Sequence, residues 1–333
     1  MSPLNILSIP FTEENQLHEN STIAQPSGSQ VLPGHPRVPL QDTAGLRDFL
    51  LRELWATDLE RMAPKLWVMS TQSSSNISPL HYQKVKGRAI VVTEDPRLHL
   101  VWIYDRVFVK PLPKYLLCYS FWSDILLNER SSLWGGSQEE QQTCVKIRMS
   151  ALGFLRTYYY LIRHESDFEI ARQDSRLLPP DITWPDFCAF SKDFLDISDD
   201  VVSKRYHYGE LRLTRLNFYA KLLVGKFQYE RVHGQYGAFF ARFYGPLLFI
   251  FGILSIILSA MQVELGVETL TNDRWQSFWY TSRRFVVVVL TCMVFVALVL
   301  ALVLVGMIVD EWAFALRKRY KRGRLRRRQQ NRA

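Results

Sequence analysis

Two uncharged apolar stretches, residues 243–263 and 285–309, constrain this chain more than any other feature. They hold 21 and 25 residues. A bilayer core about 30 Å thick is crossed by roughly 20 apolar residues at 1.5 Å each, so each stretch is long enough to span once, the second with some tilt. A soluble core helix of this length would show a polar face, and neither stretch has one. Two transmembrane helices are therefore expected, 243–263 and 285–309, joined by a short outer loop, 264–284.

The charge balance locates the ends of that hairpin. The formal charge of +9 suggests a nucleic-acid or membrane-surface partner until its position is considered. Arg317, Lys318, Arg319, Lys321, Arg322, Arg324, Arg326, Arg327, Arg328 and Arg332 form a tail, 310–333, in which no acid follows Glu311. Setting those ten aside leaves 31 of the 41 basic residues against 32 acidic ones, so the body of the chain is neutral. No nucleic-acid partner is implied. Basic flanks stay on the cytosolic side of a membrane, and the tail lies directly after the second stretch. Arg212, Arg215, Lys221, Lys226, Arg231 and Arg242 precede the first stretch against only Glu210 and Glu230. Both termini are thus expected in the cytosol of an integral membrane protein of the endoplasmic reticulum or plasma membrane. Anionic lipid headgroups are the expected partner of the tail, at about 1 kcal/mol per basic residue. Its Arg-x-Arg steps also resemble retention signals of the endoplasmic reticulum. Residues 1–11 lack the basic and apolar regions of a signal peptide, and the sequons at Asn20 and Asn76 are expected to stay bare.

Ahead of the hairpin, residues 1–41 are rich in Ser, Pro, Asn and Gln and read as a disordered leader. Residues 42–207 read as a cytosolic domain. From Thr43, taken as an N-cap, Leu46, Phe49, Leu50, Leu54 and Met62 recur at helical spacing up to Pro64. Residues 88–93, 98–103 and 107–110 are short, β-branched and aromatic, with turn-forming separators, which predicts a small antiparallel meander; 66–69 is a candidate fourth strand. Helices are expected over 115–128, 137–164 and 187–194. From Glu210, Leu213, Leu216, Ala220, Leu223 and Phe227 alternate steps of three and four, the a/d seam of an amphipathic juxtamembrane stalk helix over 208–242. The fold class expected is α+β, mainly helical, a small meander with helices followed by the stalk and the two-helix hairpin. Ser255 with Ser259 and Ala297 with Ala301 are small-x-x-x-small pairs suited to close helix approach, so association of copies through the spans is a further expectation.

Catalytic signatures are missing. Gly225-Lys226 has Ala220 where a phosphate loop needs its first glycine, and His164-Glu165 is followed by Phe168 where a zinc-protease helix needs its second histidine. No nucleophile elbow occurs, and the four cysteines (Cys118, Cys144, Cys188, Cys292) stand far apart without metal or disulfide spacing. Glu165, Asp167 and Glu169, and Asp199 with Asp200, are weighed as metal ligands against helix caps, and caps need fewer assumptions. Trp102, Trp134 and Trp184 read as core. No catalytic residue, cofactor or metal is assigned, and an enzyme is not expected.

Two resemblances add to this. The run from Tyr208 to Asn217 (Tyr-Gly-Glu-Leu-Arg-Leu-Thr-Arg-Leu-Asn), the Ala260-Met261-Gln262-Val263 end of the first stretch, and the run from Leu98 to Pro113 resemble an uncharacterised family of fungal membrane proteins with two C-terminal spans. That resemblance implies a membrane location and no reaction. The layout is also similar to the CorA-type magnesium channels, whose Gly-Met-Asn motif at the outer end of the first span falls here on Ala260, Met261 and Gln262. Only the methionine is kept; Ala260 adds a methyl and Gln262 a methylene. The sequence therefore reads as a membrane-tethered interaction or scaffold module with an unidentified cytosolic protein partner. The alternative is an oligomeric divalent-cation channel with its pore mouth at Ala260, Met261 and Gln262.

Overall fold

The structure is a computed structural model, and it describes residues 8–18, 30–68, 70–128, 137–223, 229–230, 236–271 and 276–330. The chain divides into two compact units, Met1–Val232 and His233–Ala333.

The first unit begins earlier than expected. Phe11 is buried, its ring 4.6 Å from Phe190 and 6.3 Å from Trp122. Strands β1 (Val31–Leu32) and β2 (His35–Pro39) pair as a hairpin around Gly34, whose φ of +82° suits glycine, and Leu32 is wholly buried. The described parts of the leader are thus structured, anchored by isolated apolar residues that carry no periodic signal.

Helix α1 (Thr43–Leu54) is capped by Asp42 rather than Thr43, the carboxylate accepting the Gly45 N–H at 2.9 Å. It buries Leu46, Leu50 and Leu54, one residue per turn. The helical pattern then breaks at Trp55 and Ala56. It resumes as α2 (Thr57–Met62) and a 3-10 turn, Ala63–Val68, where a fourth strand had been a candidate; Met69 lies outside the described residues. Helix α3 (Leu80–Val85) leads into the sheet.

Strands β3 (Ala89–Val92), β4 (Val101–Ile103) and β5 (Arg106–Val109) form where strands were expected, but not as a meander. The order is β3-β5-β4-β6, with β6 at Leu211–Arg212. Only β4 and β5 pair antiparallel; β3 runs parallel to β5, and β4 parallel to β6. The residues between β3 and β4 carry the chain past one strand position instead of reversing it into a neighbour. Asp95 folds them by accepting the Arg97 N–H at 2.9 Å, and Leu100 adopts φ +59° before β4 starts. The second strand of the β4–β5 hairpin then inserts beside β3, burying Val107 and Val109 completely.

Helix α4 (Gln138–Leu161) is the centre of the unit, and Glu140 turns back to accept the Ser137 N–H at its start, at 3.2 Å. From Ile147 to Tyr158 it is buried nearly all round. Two π-helical turns, Phe121–Leu126 and Ile170–Asp174, flank it in sequence, with α5 (Glu165–Glu169) and α6 (Trp184–Ser191). Two arginines join the later loops to this core. Arg156 donates to Ile197 O, Tyr206 O and Asp199 Oδ1 at 2.7–2.9 Å, and Arg205 to the carbonyls of Tyr208, Gly209 and His99 at 2.8–3.1 Å.

Helix α7 (Leu213–Leu223) corrects the stalk expectation. Residues 208–242 are not one helix: β6 precedes α7, and Tyr229 and Glu230 lie outside any helix, their N–H groups donating to Asn217 Oδ1 at 2.8 and 3.1 Å. The a/d residues Leu213, Leu216 and Ala220 are at most 1% exposed, packed in a second cluster with Leu59, Met62, Leu66, Val101 and Phe108. The seam is therefore filled from within the unit. Phe227 lies outside the described residues.

The second unit consists of α8 (Tyr236–Thr271) and α9 (Gln276–Gln330). Within them Tyr244–Val267 and Gln276–Leu302 are long and apolar enough to cross a membrane, at mean hydropathy 2.2 and 3.2, and neither is buried against protein. Pro246 sits inside α8, as membrane helices tolerate.

Candidate membrane-facing and polar sites

Ala260, Met261 and Gln262 lie inside α8, not at its end. The helix runs nine residues beyond Gln262, to Thr271, and its apolar segment continues to Val267. Their carbonyls face along the axis into the helical hydrogen-bond ladder and are not presented as a mouth. The hydroxyls of Thr281 and Thr291 are also satisfied inside α9, donating to the carbonyls four residues earlier at 2.8 Å. The backbone carrying Arg317, Lys318, Arg319, Lys321, Arg322, Arg324, Arg326, Arg327 and Arg328 belongs to α9. The side chains of this tail, together with Arg332, Asn20, Trp134 and Asn272, lie outside what the structure describes.

Two gatherings of polar groups among the described residues of the first unit include histidines that no motif announces. The first centres on Lys110, which is 1% exposed. Its ammonium donates to Glu53 Oε2 at 2.6 Å, to Glu94 O at 2.7 Å and to Glu94 Oε2 at 3.1 Å. Its amide donates to His99 Nδ1 at 3.2 Å, and Tyr158 Oη donates to its carbonyl at 2.5 Å. Because Nδ1 of His99 accepts, Nε2 carries the proton and donates to Thr157 Oγ1 at 2.9 Å, and that hydroxyl in turn donates a hydrogen bond to Phe154 O at 2.6 Å. The imidazole is thereby satisfied as the neutral form. Burial, then the charges of Arg205 and Lys110, hold its pKa well below the ordinary value. Burial likewise raises the pKa of Tyr115 well above the usual, and its hydroxyl has no hydrogen-bond partner among the described residues.

This arrangement predicts acid sensitivity. The unfolded chain protonates His99 near pH 6.5 and the folded one only at lower pH, so stability is full above about 6.5 and falls below it. A slope approaching 1.4 kcal/mol per pH unit follows from the one proton involved. Thermal midpoints measured from pH 7.5 to 5.5 are expected to fall, and His99→Asn to flatten that profile while lowering its neutral value. A flat profile in the parent protein contradicts the reading.

The second gathering is His81 with Asp167. Asp167 is fully buried and accepts His81 N–H and Nδ1–H on Oδ1 at 2.7 and 2.8 Å, and the amides of Arg163 and His164 on Oδ2 at 3.1 Å. The His164 ring is 5.4 Å away. A carboxylate and the imidazole it orients are two of the three members of a catalytic triad. Among the described residues no hydroxyl or thiol hydrogen-bonds to His81, so the pair joins α3 to α5. Asp199 pairs with Arg156, and no group of three or more His, Cys, Asp and Glu among the described residues is arranged to hold a metal. Trp102, expected in the core, is half-buried between two guanidinium groups, Arg88 at 4.0 Å and Arg212 at 5.2 Å. Trp184, also half-buried, stacks on Phe187 at the edge of the core. All four cysteines are free thiols; Cys118 and Cys144 are buried, and burial pushes the Cys118 pKa up to about 12.

An open recess in the first unit, about 440 Å³, is lined by Val68, Arg212, Thr214, Arg215, Phe218 and Tyr219. A smaller one of about 140 Å³ lies beside Glu14, Asp181 and Asp186. Neither contains a convergent set of catalytic groups.

No curated protein and no solved structure matches the chain. The sequence pattern of one family matches residues 46–293, taking in the core from α1 onward, the sheet and both apolar helices as far as Met293. A match over well over half of its length makes this chain a member of DUF6601, a family of unknown function.

Proposed function

We propose that the protein is an integral membrane protein of two spans that holds its α+β unit in the cytosol as an interaction or scaffold module. One observation carries the reading: helical segments of 24 and 27 residues, Tyr244–Val267 and Gln276–Leu302, at mean hydropathy 2.2 and 3.2, leave most of their large apolar side chains exposed, and lipid is the solvent that removes such surface from water. Basic residues before α8 and after the apolar part of α9 support cytosolic placement of both termini. The filled a/d seam of α7 weighs against a channel, because a pore built from several copies needs that seam for neighbours. In this reading the tail binds anionic headgroups, the partner is a cytosolic protein, and copies associate through the small residues of the spans.

The topology is testable with native and introduced glycosylation sites. Asn20 and Asn76 are expected to remain unmodified in the full chain, while a sequon on a polar insert at Asn272 acquires a glycan. Asn76 is exposed, so lack of modification there reports compartment, not access. A glycosidase-sensitive mass shift on the native sequons reverses the assigned orientation.

A further inference from the structure

Helix α7 presents two contrasting faces. Leu213, Leu216 and Ala220 are buried, whereas Arg215 is exposed, Phe218 is 73% exposed, and Arg212, the last residue of β6 just before the helix, is exposed as well. In the 3-10 turn after α2, Val68 is 50% exposed, and Trp67, next to it in the chain, is 66% exposed. Val68, Phe218 and the two arginines share one recess whose lining contains no acidic residue. A solvated helix face ordinarily carries polar side chains alone, and large aromatics left in water beside arginines mark a surface that is covered in use. Tryptophan and phenylalanine favour the headgroup region of a bilayer, and arginine is attracted to its anionic lipids. The covalent chain narrows the choice of occupant. Twelve residues separate the end of α7 at Leu223 from the start of α8 at Tyr236, a tether of at most about 40 Å however it is folded.

We infer that the face formed by Trp67, Val68, Arg212, Arg215 and Phe218 docks on an anionic bilayer surface, the aromatics entering the headgroup layer while the arginines engage lipid phosphates and carboxylates. The inference rests on the proposal that α8 and α9 are membrane spans, and it adds a second lipid contact distinct from the basic tail. Attraction through exposed arginines is screened by salt, so docking weakens as ionic strength rises.

The test uses the full chain reconstituted in vesicles of phosphatidylcholine alone or mixed with phosphatidylserine. An environment-sensitive probe is placed at Phe218→Cys, or separately at Trp67→Cys, in a Cys188→Ser, Cys292→Ser background. The control keeps native Cys188, an exposed thiol on α6, as the labelled site. Quenching of either reporter by an aqueous quencher is expected to fall several-fold when phosphatidylserine is present and to recover in high salt, with the Cys188 probe equally quenched throughout. Arg212→Gln with Arg215→Gln is expected to restore quenching in phosphatidylserine vesicles. Because Arg212 also stacks on Trp102, Arg215→Gln alone is run beside it, and a melting curve shows that each variant is folded. Reporters quenched equally with and without phosphatidylserine overturn the inference. Protection that follows the number of protein copies per vesicle, independent of lipid charge, also overturns it, in favour of a second copy on this face. Alkaline carbonate extraction separates the two proposals: extracted protein sinks the membrane reading, whereas retained protein with freely quenched reporters sinks only the docking.

Discussion

Gly209→Ala is expected to lower the thermal midpoint of the first unit more than any other single-methyl change in the loops around it. A Cβ at position 209 would stand 2.0 Å from Asn76 O, 2.4 Å from Asn76 C and 3.0 Å from Ile77 Cγ1. The obstruction is mainly backbone, and that backbone is held in place. The Gly209 amide donates to Ser73 O at 3.0 Å, and the Glu210 amide to Asn76 O at 2.9 Å. The Glu210 carboxylate in turn accepts the Ser78 amide, Gln83 Nε2 and Arg88 Nη1 at 2.7–2.8 Å. Making room for one methyl separates residues 73–78 from 209–210 and loosens all of these together. Overpacking with loss of buried hydrogen bonds costs about 3 kcal/mol or more, equivalent to a fall of roughly 6–12 °C for a unit of this size. Melting of the reconstituted protein, followed by circular dichroism, measures it. A midpoint unchanged from the parent shows that the two segments are not tightly joined.

Lys110→Met is expected to be comparably damaging, for an electrostatic reason. The side chain is almost wholly buried and the change of volume is small, so the loss is that of the charge and its three hydrogen bonds. Glu53, only 24% exposed at its side chain, is left ionised beside a methyl group, and Glu94 O loses its donor. Removing one member of a buried ion pair costs about 3–5 kcal/mol, most of it the unpaired charge that remains. The discriminating measurement is a double-mutant cycle. Adding Glu53→Gln to Lys110→Met is expected to recover a large part of the loss, because the second change removes the stranded charge. Strictly additive losses show that Glu53 and Lys110 are not coupled.

The sequence disclosed those parts of the fold whose signal is local. The helix expected over 137–164 has a local apolar stripe, the apolar helices are uninterrupted runs, and the period of Leu213, Leu216 and Ala220 marks a helix wherever its partner lies. Their partner was not legible: the same spacing serves a seam between copies and the internal cluster it joins here. The sheet failed for a related reason. Residues 89–92, 101–103 and 106–109 have strand composition, yet their order depends on the path through Asp95 and Leu100, and β6 is two residues with no period at all. Phe11 and Leu32 are single anchors in a polar, proline-rich segment, where composition points the other way. Lys110, His99, Glu53 and Asp167 are brought to their partners by tertiary structure across 11 to 86 residues, so no window along the chain contains their signal. The outward face of α7 was half visible, since Arg212 and Arg215 counted toward the basic flank, but the exposure of Trp67 and Phe218 is a property of the fold.

The pairing of β4 with β6 joins Val101 to Leu211, residues 110 apart in sequence. Closing so long a loop is slow, and contacts on either side of it gain nothing until it closes. During synthesis the second hydrophobic cluster therefore waits for α7, and Leu59, Met62 and Leu66 stay uncovered while some 150 further residues are made, on the order of 10 s at about 5–20 residues per second. By then the ribosome is near the first apolar helix, whose segment opens only 21 residues beyond Leu223, at Tyr244. On the proposed two-span reading, completion of the first unit and delivery of the nascent chain to the bilayer fall in the same interval. On that reading, a substitution that delays β6 leaves Leu59, Met62 and Leu66 uncovered just as α8 reaches the bilayer.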